Sequence, residues 1–195
     1  MKVLVACEFS GVVRSAFAAL GHDAWSCDLL PTERPGQHIQ GDVLDVLGAG
    51  WDLAVCHPPC THLARSGARW WPDKRAEQAE AIAFFMALIN APIPRIAIEN
   101  PVGIMSSAYR QPDQVIQPWW FGHGETKATC LWLKNLPLLR PAEIVEGREP
   151  RVHFMAPGPD RWAERSRTLE GVAQAMAVQW SVVLPIQVPL FGETA

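Results

Sequence analysis

The chain has 195 residues, 49% of them hydrophobic and 19% charged, with a formal net charge of −3 at pH 7. That composition suits one soluble domain with a sound core, and no apolar run reaches the roughly 18 to 20 residues that cross a bilayer. The charge balance gives no global basic signature, so contact with nucleic acid must come from local patches, and neither a membrane nor an obligate protein partner is expected.

Lys2 to Cys7 is an apolar run suited to a central parallel strand, interrupted by Glu8 too early for a signal-peptide core, so the expected location is the cytoplasm. Gly11 to Leu20 spaces Val12, Ala16, Phe17 and Leu20 on one helical face before Gly21 stops it. Asp23 to Asp28 reads as a second strand ending in an acid, Pro31 to Gly41 as a breaker-rich loop, and Gly41 to Leu44 as a short further element. Asp52 to Cys56 is the next strand, Asp73 to Asn90 a long amphipathic helix, and Arg95 to Glu99 another strand ending at Asn100-Pro101. Gln117 to Leu133 changes to Trp-, Phe- and Thr-rich runs that predict an antiparallel hairpin. Pro137 to Pro159 is irregular, and Leu169 to Trp180 restores helical periodicity. This alternation predicts an α/β fold, a doubly wound, mostly parallel sheet with an antiparallel hairpin at one side, built as one domain over residues 1–195.

Within this frame the segment Asp52 to Arg65 carries most of the chemistry. An apolar strand runs straight into Pro58-Pro59, whose fixed φ angles stiffen the turn and leave Cys60 with few alternative positions. The carboxyl ends of strands line the ligand crevice in open α/β sheets, so Cys60 is the candidate nucleophile, against the alternative of a small buried residue. The five cysteines, at positions 7, 27, 56, 60 and 130, form an odd, scattered set that argues for reduced thiols. Cys56, His57, Cys60 and His62 invite a zinc reading, but no second spaced pair accompanies them, and no metal is expected. Acids follow successive strands at Glu8, Asp28 and Asp42, where a carboxylate can accept hydrogen bonds from ribose hydroxyls. Only Gly11 stands where a dinucleotide fingerprint requires three glycines, so the pattern favours an adenosine ligand poor in phosphate. Arg65, Ser66, Arg69, Trp70, Trp71, Lys74 and Arg75 interleave positive charge with aromatics, and Arg161, Arg165 and Arg167 form a second cluster; both suit phosphates and bases.

The order and spacing of Glu8-Phe9-Ser10-Gly11, Asp28, Gly41-Asp42, Asp52 to Cys60 and Glu99-Asn100-Pro101 resemble the DNA (cytosine-5) methyltransferases. That family carries a Phe-Ser-Gly turn, a Gly-Pro-Pro-Cys-Gln loop and a Glu-Asn-Val strand end, and the similarity runs through residues 1–101, with a weaker return in Arg165 to Thr168 and the helix ending at Trp180. The chain looks most like the short phage and prophage members. His57 and Thr61 replace the family's glycine and glutamine, Val12-Val13 replaces a glycine pair, and Pro101 replaces valine. The family's Arg-x-Arg strand has no clean copy, and Lys127 on the hairpin is the candidate replacement cation; no insert after it is long enough for a large target-recognition domain.

The resemblance implies a Rossmann-like domain with a donor-binding and nucleophile half at 1–101, and a hairpin, a reduced recognition segment and a closing helix at 102–195. Its implied cofactor is S-adenosylmethionine, held by Glu8, Phe9, Ser10, Gly11, Asp28, Asp42 and Pro58, and its implied partner is DNA, held by Arg65, Ser66, Arg69, Lys74, Arg165 and Arg167. Cys60 would add to cytosine carbon 6, and a neutral Glu99, desolvated at a strand end, would protonate nitrogen 3 with Lys127 nearby. The target is expected to be short or relaxed. Two alternatives stay open, an exocyclic-amine DNA methyltransferase of the same fold and a non-catalytic nucleotide or nucleic-acid binding protein.

Overall fold

A computed structural model describes residues 1–182. Seven strands form one sheet: β1 (Lys2–Ala6), β2 (Asp23–Asp28), β3 (His38–Gln40), β4 (Leu53–Cys56), β5 (Arg95–Pro101), β6 (Gln114–Ile116) and β7 (Thr129–Lys134), in the order β3-β2-β1-β4-β5-β7-β6. The first five are parallel, and β7 runs antiparallel to both β5 and β6. The expected hairpin is therefore present but shifted. The Trp-rich segment after Gln117 supplies a 3-10 turn (Pro118–Trp120) and the connection, because Pro118 has no N–H for a ladder.

Alternation along the central strand divides the core. Val3 and Val5 face a layer made by α1 (Val12–Ala19) and α6 (Glu170–Trp180), while Leu4 and Ala6 face α2 (Arg75–Ile89). Helix α1 contributes Val12, Val13 and Phe17, whereas Leu20, expected on its apolar face, lies beyond the last turn and is 47% exposed. Helix α6 buries Val172, Ala173, Met176 and Trp180 against it. Only the last third of α2 is buried, through Phe85, Leu88 and Ile89; its first turns stand in solvent. Three short helices complete the described residues, α3 (Met105–Ala108), α4 (Arg151–Phe154) and α5 (Arg161–Ser166). Among them no helix is long and apolar enough to cross a membrane.

The chain leaves β1 toward β2 on one side of the sheet and takes up β4 and β5 on the other. Such a reversal opens a crevice at the carboxyl ends of the two central strands. Residues 7–11 after β1 and 57–60 after β4 flank that crevice.

Candidate active site

The turn after β4 is held from three directions. The His57 N–H donates to the Ala6 carbonyl at 2.9 Å, the Asn100 side-chain amide donates to the Pro58 carbonyl at 3.0 Å, and the Cys60 carbonyl accepts from the N–H groups of Leu63 and Ala64 at 3.0 and 2.8 Å. Downstream, Arg65 N–H donates to Val102 and Ile104 N–H to Leu63, each at 2.9 Å, so the loops after β4 and β5 form a backbone seam. Gly103 permits that seam, because a Cβ there would sit 1.9 Å from the Leu63 carbonyl oxygen. Cys60 is exposed into the cleft as a free thiol. The enclosing walls raise its pKa above the ordinary thiol value, Glu99 adds to the rise, and Lys127 and Arg165 oppose it.

Parallel register sets Cys56 opposite Ile98, which carries His57 beside Glu99 one step further. Their side chains, 9% and 13% exposed, meet with Nδ1 2.7 Å from a Glu99 oxygen. Glu99 departs from the neutral acid expected of a desolvated strand end. Burial is indeed the largest influence and raises its pKa, but His57, Lys127 and Thr129 together outweigh it and hold the carboxyl below the usual range. Because the folded pKa is lowered, the ionised form stabilises the fold above the ordinary value near 4.5, and that contribution disappears as pH falls through the lowered value. Glu99→Gln should therefore show its full stability deficit at neutral pH and a shrinking one in acid; urea titrations across that range check it, and a pH-independent deficit would contradict an ionised Glu99.

A cleft of about 1100 Å³, including its open mouth, runs from Cys60 past His57, Pro59 and Thr61 to Glu8, Phe9, Ser10 and Asp28, with Trp162, Arg165 and Arg167 opposite. It shares Cys7, Asp28 and Pro59 with a more apolar pocket of about 590 Å³ lined also by Cys27, Leu29, Asp42, Val43 and Phe84. Asp28 and Asp42 each use one oxygen on a local N–H, of Leu30 and Leu44 respectively, both at 2.9 Å. An apolar slot lined by two carboxylates could hold an adenosine, whose ribose hydroxyls and exocyclic amine are donors.

Several expected residues occupy other roles. Glu8 is 4% exposed and spends its oxygens on the N–H groups of Val13 (2.6 Å) and Arg14 (3.2 Å) and on the Ser10 hydroxyl (3.2 Å), so it caps α1 as well as touching the cleft. Gly11 forms the backbone entry to α1 at φ +70°, against the Arg14 guanidinium, and does not line the cleft. Pro58 is buried with its carbonyl on Asn100; the wall proline is Pro59. Arg167 is bound to Glu33 through two contacts of 2.5 and 2.9 Å, so its charge is largely spent. Lys127 donates to the Arg165 carbonyl at 3.0 Å and lines a shallow recess with Glu99, Thr129 and Thr168. Arg65, Ser66, Arg69 and Lys74 are exposed around the 3-10 segment Arg65–Asp73, with the Arg69 guanidinium 4.8 Å from the Trp70 ring centre.

Other contributors had no local signal. Cys7 sits at φ +59°, a strained angle for a residue with a side chain, and lines both pockets; burial pushes its thiol far up, which disfavours a thiolate there. Trp162 reaches the cleft from α5 and packs on Phe9 with ring centres 5.7 Å apart. Neither the pairing of Trp162 with Phe9 nor that of His57 with Glu99 could be read from spacing, since each joins residues far apart in the chain.

No protein-family model and no curated protein matches the chain. Among solved structures it is similar to a prophage-encoded E. coli protein assigned as a DNA modification methyltransferase, at 14% identity and a TM-score of 0.50 over 80% of this chain and 55% of that one. It is also similar to the S. pombe Dnmt2 methyltransferase (15% identity, TM-score 0.45, 77% and 52% of the two chains) and to the Entamoeba histolytica methyltransferase EhMeth (12% identity, TM-score 0.47, 80% and 60%). The chain spans little more than half the length of these proteins. What the first likeness shows is the fold, a doubly wound, mostly parallel α/β sheet.

Proposed function

We propose that the chain is a DNA cytosine carbon-5 methyltransferase that uses S-adenosylmethionine and a covalent bond from Cys60. The observation that carries this reading is a free thiol on a rigid turn at the crevice, with Glu99 at the end of the adjacent strand and an adenosine-sized, acid-flanked slot opening from the same cleft. Asp28 and Asp42 would hold the adenosine end, with Pro59, Leu29 and Phe84 against the base. When bound, the cofactor supplies an electrophilic methyl group.

Cytosine carbon 5 is a poor nucleophile until carbon 6 is saturated. Cys60 sulfur would bond to carbon 6 while Glu99 delivers a proton to nitrogen 3, converting the ring to an enamine. Burial and Glu99 raise the Cys60 pKa, and Lys127 and Arg165 work against that rise toward the thiolate this step requires. The free site holds Glu99 ionised, so the proton that the step delivers to nitrogen 3 must be taken up by Glu99 as the base binds. After methylation, loss of the carbon 5 proton to water expels Cys60 as thiolate, and nitrogen 3 returns its proton to Glu99. Reaching this site requires the base to leave the stack, at a few kcal/mol.

Incubation with DNA and S-adenosylmethionine followed by mass spectrometry of the nucleosides tests the proposal; 5-methylcytosine supports it, N-methylated bases would point to exocyclic-amine transfer, and no modified base to a binding role. Cofactor placement has its own test. Asp28→Ala and Asp42→Ala should each weaken S-adenosylhomocysteine by roughly 10- to 100-fold, the loss of charge-assisted hydrogen bonds of about 1.5 to 3 kcal/mol, with little change in DNA affinity. Unchanged calorimetric affinity in both variants would remove the cofactor assignment.

Recognition should be short or relaxed, on the order of one to three bases, because each base needs its own side-chain contact and, among the described residues, the 61–75 and 134–168 segments would have to supply them. Binding should fall steeply with salt. Replacing Arg65, Arg69 and Lys74 together by Ala should reduce the slope of log affinity against log salt by about 2 to 3. Bisulfite sequencing of a long treated duplex shows the context, and methylation confined to one long palindrome would refute the short-target reading.

A further inference from the structure

Cys60 lines the cleft, Glu99 lines the shallow recess beside Lys127, and the two linings meet at Thr168. Residues 161–168 therefore stand between the two groups that one base would have to touch. This segment has little core of its own: Ala163 is buried, while Trp162 is 58% exposed. It is held from outside. Arg167 grips Glu33 through contacts of 2.5 and 2.9 Å, Trp162 packs on Phe9, and the Arg165 carbonyl accepts from Lys127 Nζ. The Glu33 side is the fixed one. Its N–H donates to the Phe9 carbonyl at 2.9 Å, and the buried Arg14 guanidinium donates to the Arg34 and Pro35 carbonyls at 2.8 and 3.0 Å. The side chains of Glu33 and Arg167 are 39% and 35% exposed, and an ion pair this open to water holds weakly.

We propose that the Glu33–Arg167 pair is an autoinhibitory latch, which a DNA phosphate releases by taking Arg167 from Glu33. The inference rests on the reading of DNA as the substrate and of Cys60 and Glu99 as one base site. On its other side the segment borders a pocket where Lys127, Arg151, Arg165 and Arg167 outnumber Glu164 and Glu170. Charge complementarity draws a phosphodiester there, and its two free oxygens match the guanidinium fork as the Glu33 carboxylate does. Just past the segment, Glu170 is paired with Arg34 at 2.5 Å, which leaves the carboxyl end as the hinge. Release lifts the Arg165 carbonyl from Lys127 and joins the recess to the cleft, so that a base meets Cys60 and Glu99 in one cavity. Without DNA the latched wall keeps the two reacting groups apart.

The test is a double-mutant cycle on DNA affinity, read by fluorescence anisotropy of a labelled duplex at fixed salt. Glu33→Gln should tighten binding by about 2- to 5-fold, the size of one exposed ion pair that no longer has to be broken. Arg167→Gln should weaken binding. In the Arg167→Gln background, Glu33→Gln should change affinity by less than about 1.5-fold, because its effect passes through residue 167; a general gain from losing one negative charge would persist there. Without DNA, tryptic cleavage after Arg165, identified by mass, should be several-fold faster in both single variants than in wild type, the direct sign of a released segment. Unchanged affinity in Glu33→Gln, a gain that survives Arg167→Gln, or unchanged cleavage after Arg165 overturns the latch. Wild-type protein that binds no DNA overturns this inference together with the proposed function, whereas 5-methylcytosine formation without the coupling overturns the latch alone.

Discussion

Cys60→Ala is expected to abolish covalent trapping of 5-fluorocytosine DNA and to lower product formation by on the order of 10⁴-fold or more, the scale seen when a nucleophile is removed from a site that acts as a unit. In the proposed mechanism this thiol adds to carbon 6, and its backbone is fixed by bonds that do not involve sulfur. Fold and S-adenosylhomocysteine binding should consequently persist. Cys56 provides the contrast. It is fully buried at the end of β4, its thiol is pushed up to about 12, and it packs against the α2 side of the sheet. Cys56→Ala should cost only about 1 kcal/mol of stability and leave trapping intact. A denaturing gel of each variant with fluorinated DNA decides between the two thiols; an essential Cys56 with a dispensable Cys60 would overturn the assignment.

Gly103→Ala should impair both stability and trapping although residue 103 touches no substrate. The added Cβ would lie 1.9 Å from the Leu63 carbonyl oxygen, 2.8 Å from its carbon and 3.0 Å from the Ala64 Cα, all backbone atoms with no rotamer to escape by. The seam between residues 63–65 and 102–104 must open, at about 1 to 3 kcal/mol for such overpacking, and the melting temperature should fall by roughly 2 to 12 °C. The Cys60 carbonyl is bonded into this seam through Leu63 and Ala64, so Cys60 moves with it. A displacement near 1 Å costs about 100-fold in rate. Gly48→Ala, with nothing within 4 Å of its Cβ, is the matched control. Unchanged melting and trapping in Gly103→Ala would show that the seam does not hold the turn.

The sequence by itself determined the elements whose causes are local. Apolar runs bounded by Pro and Gly marked β1, β4 and β5; the 3.6-residue period marked α1 and α6; and the double proline marked the rigid turn at Cys60. Each depends on residues within a few positions of one another, so each is legible along the chain. Tertiary structure decided everything that depends on which segments become neighbours. The antiparallel insertion of β7 beside β5 brings Lys127 and Thr129 to Glu99, and the register of β4 on β5 brings His57, so a carboxyl that burial alone would neutralise is ionised instead. Likewise the fold sets Glu33 against Arg167 and the first N–H groups of α1 on the Glu8 oxygens, contacts that no local pattern announces. Charge state and hydrogen-bond capacity are properties of a three-dimensional surrounding, because desolvation and Coulomb energy fall on whichever groups the topology brings within a few ångströms.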